Sequence, residues 1–189
     1  MSGRASKEFG AARSFLYAQP EASRRLLAHL ADAMGEYLAA QARAGAQALM
    51  LFESWAGLLG PETYRAFALP AVRRTAQRLR DCGVPVIYYL NQGAALMDCV
   101  ADLPVEVIGV DWRCGLTQVR RALGPGKAVQ GNLDPAALFA PPEELRRQVA
   151  AVIREAGDAP GHIFNLGHGI WPDTDPDQVA RLIDYVHEH

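Results

Sequence analysis

The chain has 189 residues, half of them hydrophobic and 21% charged, with 17 glycines and 12 prolines. That permits one globular domain over residues 1–189 with its own core and excludes a peptide or a multidomain assembly. Nineteen Lys and Arg against 21 Asp and Glu leave a formal charge of −2, so there is no general electrostatic footprint for nucleic acid or an anionic membrane. Cys82, Cys99 and Cys114 are an odd set without CxxC spacing, which argues against a disulfide framework and for a reducing compartment, the cytoplasm. Residues 1–8 carry no apolar export segment, and no apolar run approaches the roughly 18 residues of a membrane span. The expectation is a protein with no export signal and no membrane partner.

After a polar start, Pro20 stands at a first helical turn. Leu26, Leu27, Leu30, Met34, Tyr37 and Leu38 then recur at helical spacing up to Gly45, which predicts a long amphipathic helix. Residues 46–52 form a short apolar run that suits a strand buried on both faces, ending in Glu53-Ser54-Trp55. Gly60-Pro61-Glu62 opens a second helix that Gly83 closes, and residues 84–90 read as the next strand. A short helix at 94–101 leads to a strand at 105–110, a helix at 117–123 to a strand at 128–132, and a helix from Pro142 to Gly157 to a strand at 161–166. Asp175 at N-cap, Pro176 at N1 and Gln178 at N3 make a capping-box pattern ahead of the last helix.

About five apolar strands, each followed by a helix, predict an α/β protein with a parallel sheet. An open doubly wound sheet and part of a (β/α)8 barrel both satisfy this alternation. A complete barrel needs about 250 residues, so this chain is short by roughly three βα units.

In either architecture ligands bind where the loops leave the carboxyl ends of the strands. Each predicted strand ends there in polar residues: Glu53-Ser54, Asn91-Gln92, Asp111 with Arg113, Gln130 to Asn132 with Asp134, and Asn165 to His168. The Ser54 hydroxyl can donate to a carboxylate, although the ordinary reading is a turn or N-cap serine, and no Gly-x-Ser-x-Gly elbow surrounds it. His168 stands between Gly167 and Gly169, where the backbone can approach a ligand and core packing is scarce, so the ligand and structural readings balance. His162 reads as structural, and His29, His187 and His189 as surface residues. Asp111 and Asp134 are both candidate acids or bases and candidate helix caps; capping is favoured for Asp134, while Asp111 beside Arg113 also suits an ion pair. There is no Gly-x-Gly-x-x-Gly order, no phosphate loop and no zinc-like Cys/His spacing, which leaves a site without metal or cofactor as the simpler reading.

Several segments together resemble one family. Ser6-Lys7-Glu8-Phe9, Phe15 to Ala22, Gly45 to Ala48, Leu51 to Gly57, Phe67 to Pro70, Gly109 to Trp112, Val129 to Pro135 and Gly161 to Ile170 are similar, in order, to the C-terminal part of uroporphyrinogen decarboxylases. The resemblance implies a partial (β/α)8 barrel, about five of its eight units. Its C-terminal rim would take the tetrapyrrole uroporphyrinogen and remove the four acetate carboxyl groups, giving coproporphyrinogen in haem biosynthesis. It implies no cofactor and no metal, a cytoplasmic homodimer, and substrate contacts from Ser54 and His168, the histidine reaching a propionate. A related branch, the cobalamin-linked methyltransferases, uses a His-x-Cys zinc element that does not occur in this sequence. The match covers this chain but only about the last half of the family's length. The family's arginine-bearing loop, its central aspartate and its substrate-contacting tyrosine belong to the other half. The chemistry needs a protonated pyrrole, stabilised by an aspartate, and a proton donor. No catalytic residue is therefore expected here, and the chain is expected to work only with the missing N-terminal units. The alternative is a non-catalytic tetrapyrrole-binding or self-associating barrel fragment, because an incomplete barrel exposes sheet edges and an apolar inner face.

Overall fold

The computed structural model describes residues 8–158 and 161–189; the N-terminal residues read above as leader-free, including Ser6 and Lys7 of the first motif, lie outside them. In chain order come α1 (Gly10–Ala18), α2 (Pro20–Arg43) and β1 (Leu49–Glu53), followed by α3 (Pro61–Thr63), a π turn (Tyr64–Ala68) and α4 (Leu69–Leu79). Next come β2 (Val86–Leu90), α5 (Met97–Val100), β3 (Val107–Val110), α6 (Leu116–Leu123) and β4 (Ala128–Gln130). A 3-10 turn (Pro135–Phe139), α7 (Pro142–Ala156), β5 (His162–Ile163) and α8 (Pro176–His187) follow, and two further 3-10 turns lie at Ala56–Leu58 and Ala94–Leu96.

The predicted strands are all present with shifted bounds: β1, β2 and β3 start two or three residues later and β1 runs on to Glu53, β4 stops at Gln130, and β5 is shortened at both ends, because only the residues that reach a neighbour's backbone join the ladder. Helix α1 falls in the stretch read as a polar start. It buries none of its residues fully and has no side-chain cap, so neither a start signal nor a packed face marks it in the sequence. The π turn precedes Pro70, the second residue of α4, which has no N–H to return to the Ala66 carbonyl; the ladder widens, and Leu69 N–H bonds the Tyr64 carbonyl. At α8, Asp175 caps as expected by accepting from Asp177 N at 2.9 Å. Gln178 does not return to the cap, as a box would require; its Nε2 donates to the Ala140 carbonyl at 2.8 Å, tying α8 to the segment after β4.

All four strand pairings are parallel, in the order β1-β2-β3-β4-β5. Each crossover moves one strand in the same direction, so right-handed connections keep the helices on one face. A doubly wound sheet must reverse its order at a switch point, and this one does not. The helix-side layer contains Leu49, Val86, Tyr88, Leu90, Ile108 and Val129, packed on Leu38 of α2, Ala76 and Leu79 of α4, and Val119 of α6. A second cluster under α7 and α8 is built on Leu133, Leu138, Leu145, Val149 and Leu182.

The opposite face shows that the sheet is curled. Phe52, Tyr89, Gly109, Gln130 and Ile163 form one row in register across all five strands. Tyr89 and Gln130, in the middle of the row, are buried, whereas Phe52 and Ile163 at its ends are 63% and 42% exposed. Gln130 Nε2 on β4 lies 3.9 Å from Met50 Sδ on β1, although three strand spacings would put flat strands about 14 Å apart. This is the concave inner face of a barrel arc, and the expected partial barrel is the architecture found.

Candidate functional site

The curl brings the two ends of the sheet together at the carboxyl rim. A cavity of about 350 Å³ is lined by Phe52 and Ser54 at the end of β1, Tyr89 on β2, and Asn165, Leu166 and His168 beyond β5. Ser54 and His168, 114 positions apart in sequence, thus line one cavity. The Ser54 hydroxyl has no hydrogen-bond partner among the described residues and caps no helix; only its carbonyl is engaged, accepting from Asn91 Nδ2 at 3.0 Å. His168 is exposed, and its imidazole is likewise without a partner among the described residues. Both side chains are available to a ligand rather than committed to the scaffold.

The other rim residues divide by strand alternation, which sends neighbours to opposite faces. Glu53 leaves the rim reached by Ser54 and lines a separate, largely apolar cavity of about 240 Å³ with Leu16, Leu27, Trp55 and Phe67. Burial there pushes its carboxyl above the ordinary range. Asp134 is a cap, accepting from Ala136 N at 2.9 Å. His162 is structural, its Nε2 2.7 Å from the Gly131 carbonyl oxygen. His29 and His187 lie exposed on α2 and α8.

Asp111 is fully buried, which decides between its open readings. One carboxylate oxygen accepts from Gln92 N–H; the other accepts from Arg113 N–H at 2.7 Å and stands 3.5 Å from the Arg113 guanidinium. Gln92 is held at φ 55, a left-handed conformation that is uncommon outside glycine and needs an external hold. Asp111 therefore ties the exit of β2 to the exit of β3. Asn132 extends the tie to β4, donating to the carbonyls of Cys114 at 2.5 Å and Asp111 at 3.2 Å. Burial, reinforced by the Asp111 charge, pushes the Cys114 thiol up to about 11, which leaves no thiolate nucleophile at neutral pH.

Sequence reasoning did not single out Tyr89. Its hydroxyl is buried and donates to the Gly167 carbonyl at 2.5 Å, joining β2 to the residue before His168. The available signal was a phenol inside an aliphatic strand, because a buried tyrosine hydroxyl needs a partner. No three His, Cys, Asp or Glu residues converge as a metal site among the described residues, and no helix among them is long and apolar enough to cross a membrane.

The same arc occurs in a methyltransferase from Methanosarcina mazei, which superposes with a TM-score of 0.83 at 17% identity, over 94% of this chain and 52% of that one. That likeness is one of fold. In sequence, uroporphyrinogen decarboxylases of Syntrophotalea carbinolica and Nocardia farcinica are each 43% identical, over 99% and 100% of this chain respectively. The uroporphyrinogen decarboxylase of Carboxydothermus hydrogenoformans is 42% identical over 100% of the chain. The chain spans about half the length of these curated relatives, 54% in each case. The family model for uroporphyrinogen decarboxylase matches residues 1–189. With the curled parallel sheet, the rim cavity and a match from end to end, the chain belongs to the uroporphyrinogen decarboxylase family.

Proposed function

We propose that this chain carries the C-terminal half of a tetrapyrrole site and takes part in the decarboxylation of the acetate side chains of uroporphyrinogen to give coproporphyrinogen, in the cytoplasm. The single observation that supports this reading is the cavity shared by Ser54 and His168, whose polar groups are uncommitted. The Ser54 hydroxyl and a ring N–H of His168 both donate hydrogen bonds to carboxylates, the recurring group on such a substrate. Neither side chain is an acid placed to stabilise a protonated pyrrole, so turnover requires groups from the family's other half. The experiment is an assay with uroporphyrinogen of the purified chain, alone and mixed with the N-terminal half of the Syntrophotalea carbinolica relative. Turnover in the mixture only is the expected result. Full turnover by the chain alone overturns the half-site reading.

A second reading rests on a different observation. Phe52 and Ile163 are exposed at the ends of the inner row, and β1 and β5 each pair on one side only among the described residues. Apolar edges of this kind promote pairing with another chain. A self-associating, non-catalytic tetrapyrrole binder would show concentration-dependent sedimentation and bind ligand without turnover, with or without the N-terminal half.

A further inference from the structure

The loop that carries His168 is held on three sides. Leu133 and Leu166 form a parallel bridge, and Gly167 N–H donates to the Leu133 carbonyl at 2.7 Å, which joins the loop to the segment after β4. On the second side Gly167 lies against the exit of β3, where an added Cβ would stand 2.7 Å from Trp112 N and 3.0 Å from Asp111 Cα. The third hold is a side chain, the Tyr89 hydroxyl on the Gly167 carbonyl at 2.5 Å. The Tyr89 ring is itself fixed. It sits opposite Gly109 in register, where a Cβ would be 3.2 Å from the ring, and lies 5.5 Å, centroid to centroid, from Phe52. Burial pushes the phenol up to about 12, so it remains a donor throughout the neutral range.

The two backbone contacts fix where the loop runs, but the carbonyl direction of Gly167 sets the peptide plane from which His168 departs. A glycine peptide has little intrinsic preference of its own. We infer that Tyr89 is a positioning residue for His168: by holding the Gly167 carbonyl, its hydroxyl aims the imidazole into the cavity shared with Ser54. What the imidazole then touches rests on the proposed tetrapyrrole reading; the aiming does not.

The test compares the wild-type chain with Tyr89→Phe, His168→Gln and the double variant. One measurement, independent of any ligand, is amide exchange over residues 165–169 together with the His168 ring signals by NMR. The other is titration with uroporphyrin III followed by fluorescence quenching. In Y89F the loop amides are expected to exchange about tenfold faster with unfolding still cooperative, and the His168 ring signals to broaden. Uroporphyrin affinity should fall three- to tenfold, with the double variant no weaker than H168Q alone, since two changes acting through one group do not add. Unchanged loop protection in Y89F, or additive losses in the double variant, overturns the inference. Should Y89F fail to unfold cooperatively, 4-aminophenylalanine at position 89 keeps a donor and must reproduce the wild-type His168 signals; if it does not, the inference falls. A wild-type chain that does not bind uroporphyrin defeats the tetrapyrrole reading, while exchange and the ring signals still decide the role of Tyr89.

Discussion

The hydroxyls of Tyr64, in the π turn, and Tyr88, on β2, lie 2.7 Å apart and are completely buried. Each satisfies the other inside an otherwise aliphatic layer. Burial drives both phenols above their ordinary range, so the pair stays neutral. Removing one hydroxyl leaves the other without its partner, whereas removing both leaves an apolar contact of nearly the same shape. Tyr64→Phe and Tyr88→Phe are each expected to cost about 1–2 kcal/mol, and the double variant clearly less than their sum. Urea unfolding of the four proteins measures this; additive costs would show that the hydroxyls are not coupled.

Asp111 holds two backbone N–H groups from different loops, one of them on Gln92 at φ 55. Asp111→Ala leaves both amides without their acceptor and releases the left-handed residue. The expected loss is about 2–4 kcal/mol in urea unfolding, well beyond that of an ordinary surface change. A loss under about 0.5 kcal/mol would mean that the tie between β2 and β3 does not matter.

Glu53 gives a pH dependence of defined sign. Burial raises its folded pKa, so the folded state favours the neutral acid. Its contribution is fully present below the ordinary glutamate value of about 4.3 and is lost as pH rises through the higher folded value. Glu53→Gln keeps a neutral group at every pH. It is expected to raise the thermal midpoint relative to wild type at pH 7, with the gap closing as pH falls toward about 4.3. Melts of both proteins across this range, compared at each pH, check it; a destabilised E53Q at pH 7 would contradict the burial argument.

Ser54 and His168 should separate binding from stability. Neither side chain bonds a described residue, so Ser54→Ala and His168→Gln are expected to leave the unfolding free energy within about 0.5 kcal/mol of wild type. Against a carboxylated tetrapyrrole each lost charge-assisted hydrogen bond is worth about 1.5–3 kcal/mol, roughly 10–100-fold in Kd. Fluorescence titration beside urea unfolding measures both. Stability losses without affinity losses would return the two residues to the scaffold.

Much of the fold was legible because its causes are local. Val86 to Leu90 and Val107 to Val110 are apolar and β-branched between glycine and proline signals, and the helices carry their stripes and starts within a few residues. Helix α1 and the Tyr64–Ala68 π turn were not legible. The first has no buried face, and the second follows from the ladder donor missing at Pro70. Along the rim, the positions of Ser54 and His168 were legible from their places after β1 and β5. Tyr89 was not, because its partner is the carbonyl of Gly167, 78 positions away.

The sequence by itself determined the parallel strand-helix alternation, the family, and which polar residues stand at strand exits, since these depend on residue order and short-range periodicity. Only the tertiary structure decided that Ser54 and Glu53 part to opposite sides of the sheet, that Asp111 is a buried tie rather than a free acid, and that Ser54 and His168 line one cavity. The reason is curvature. Edge strands four spacings apart would lie roughly 19 Å from each other in a flat sheet, and the curl that narrows this gap arises from packing and twist summed over five strands.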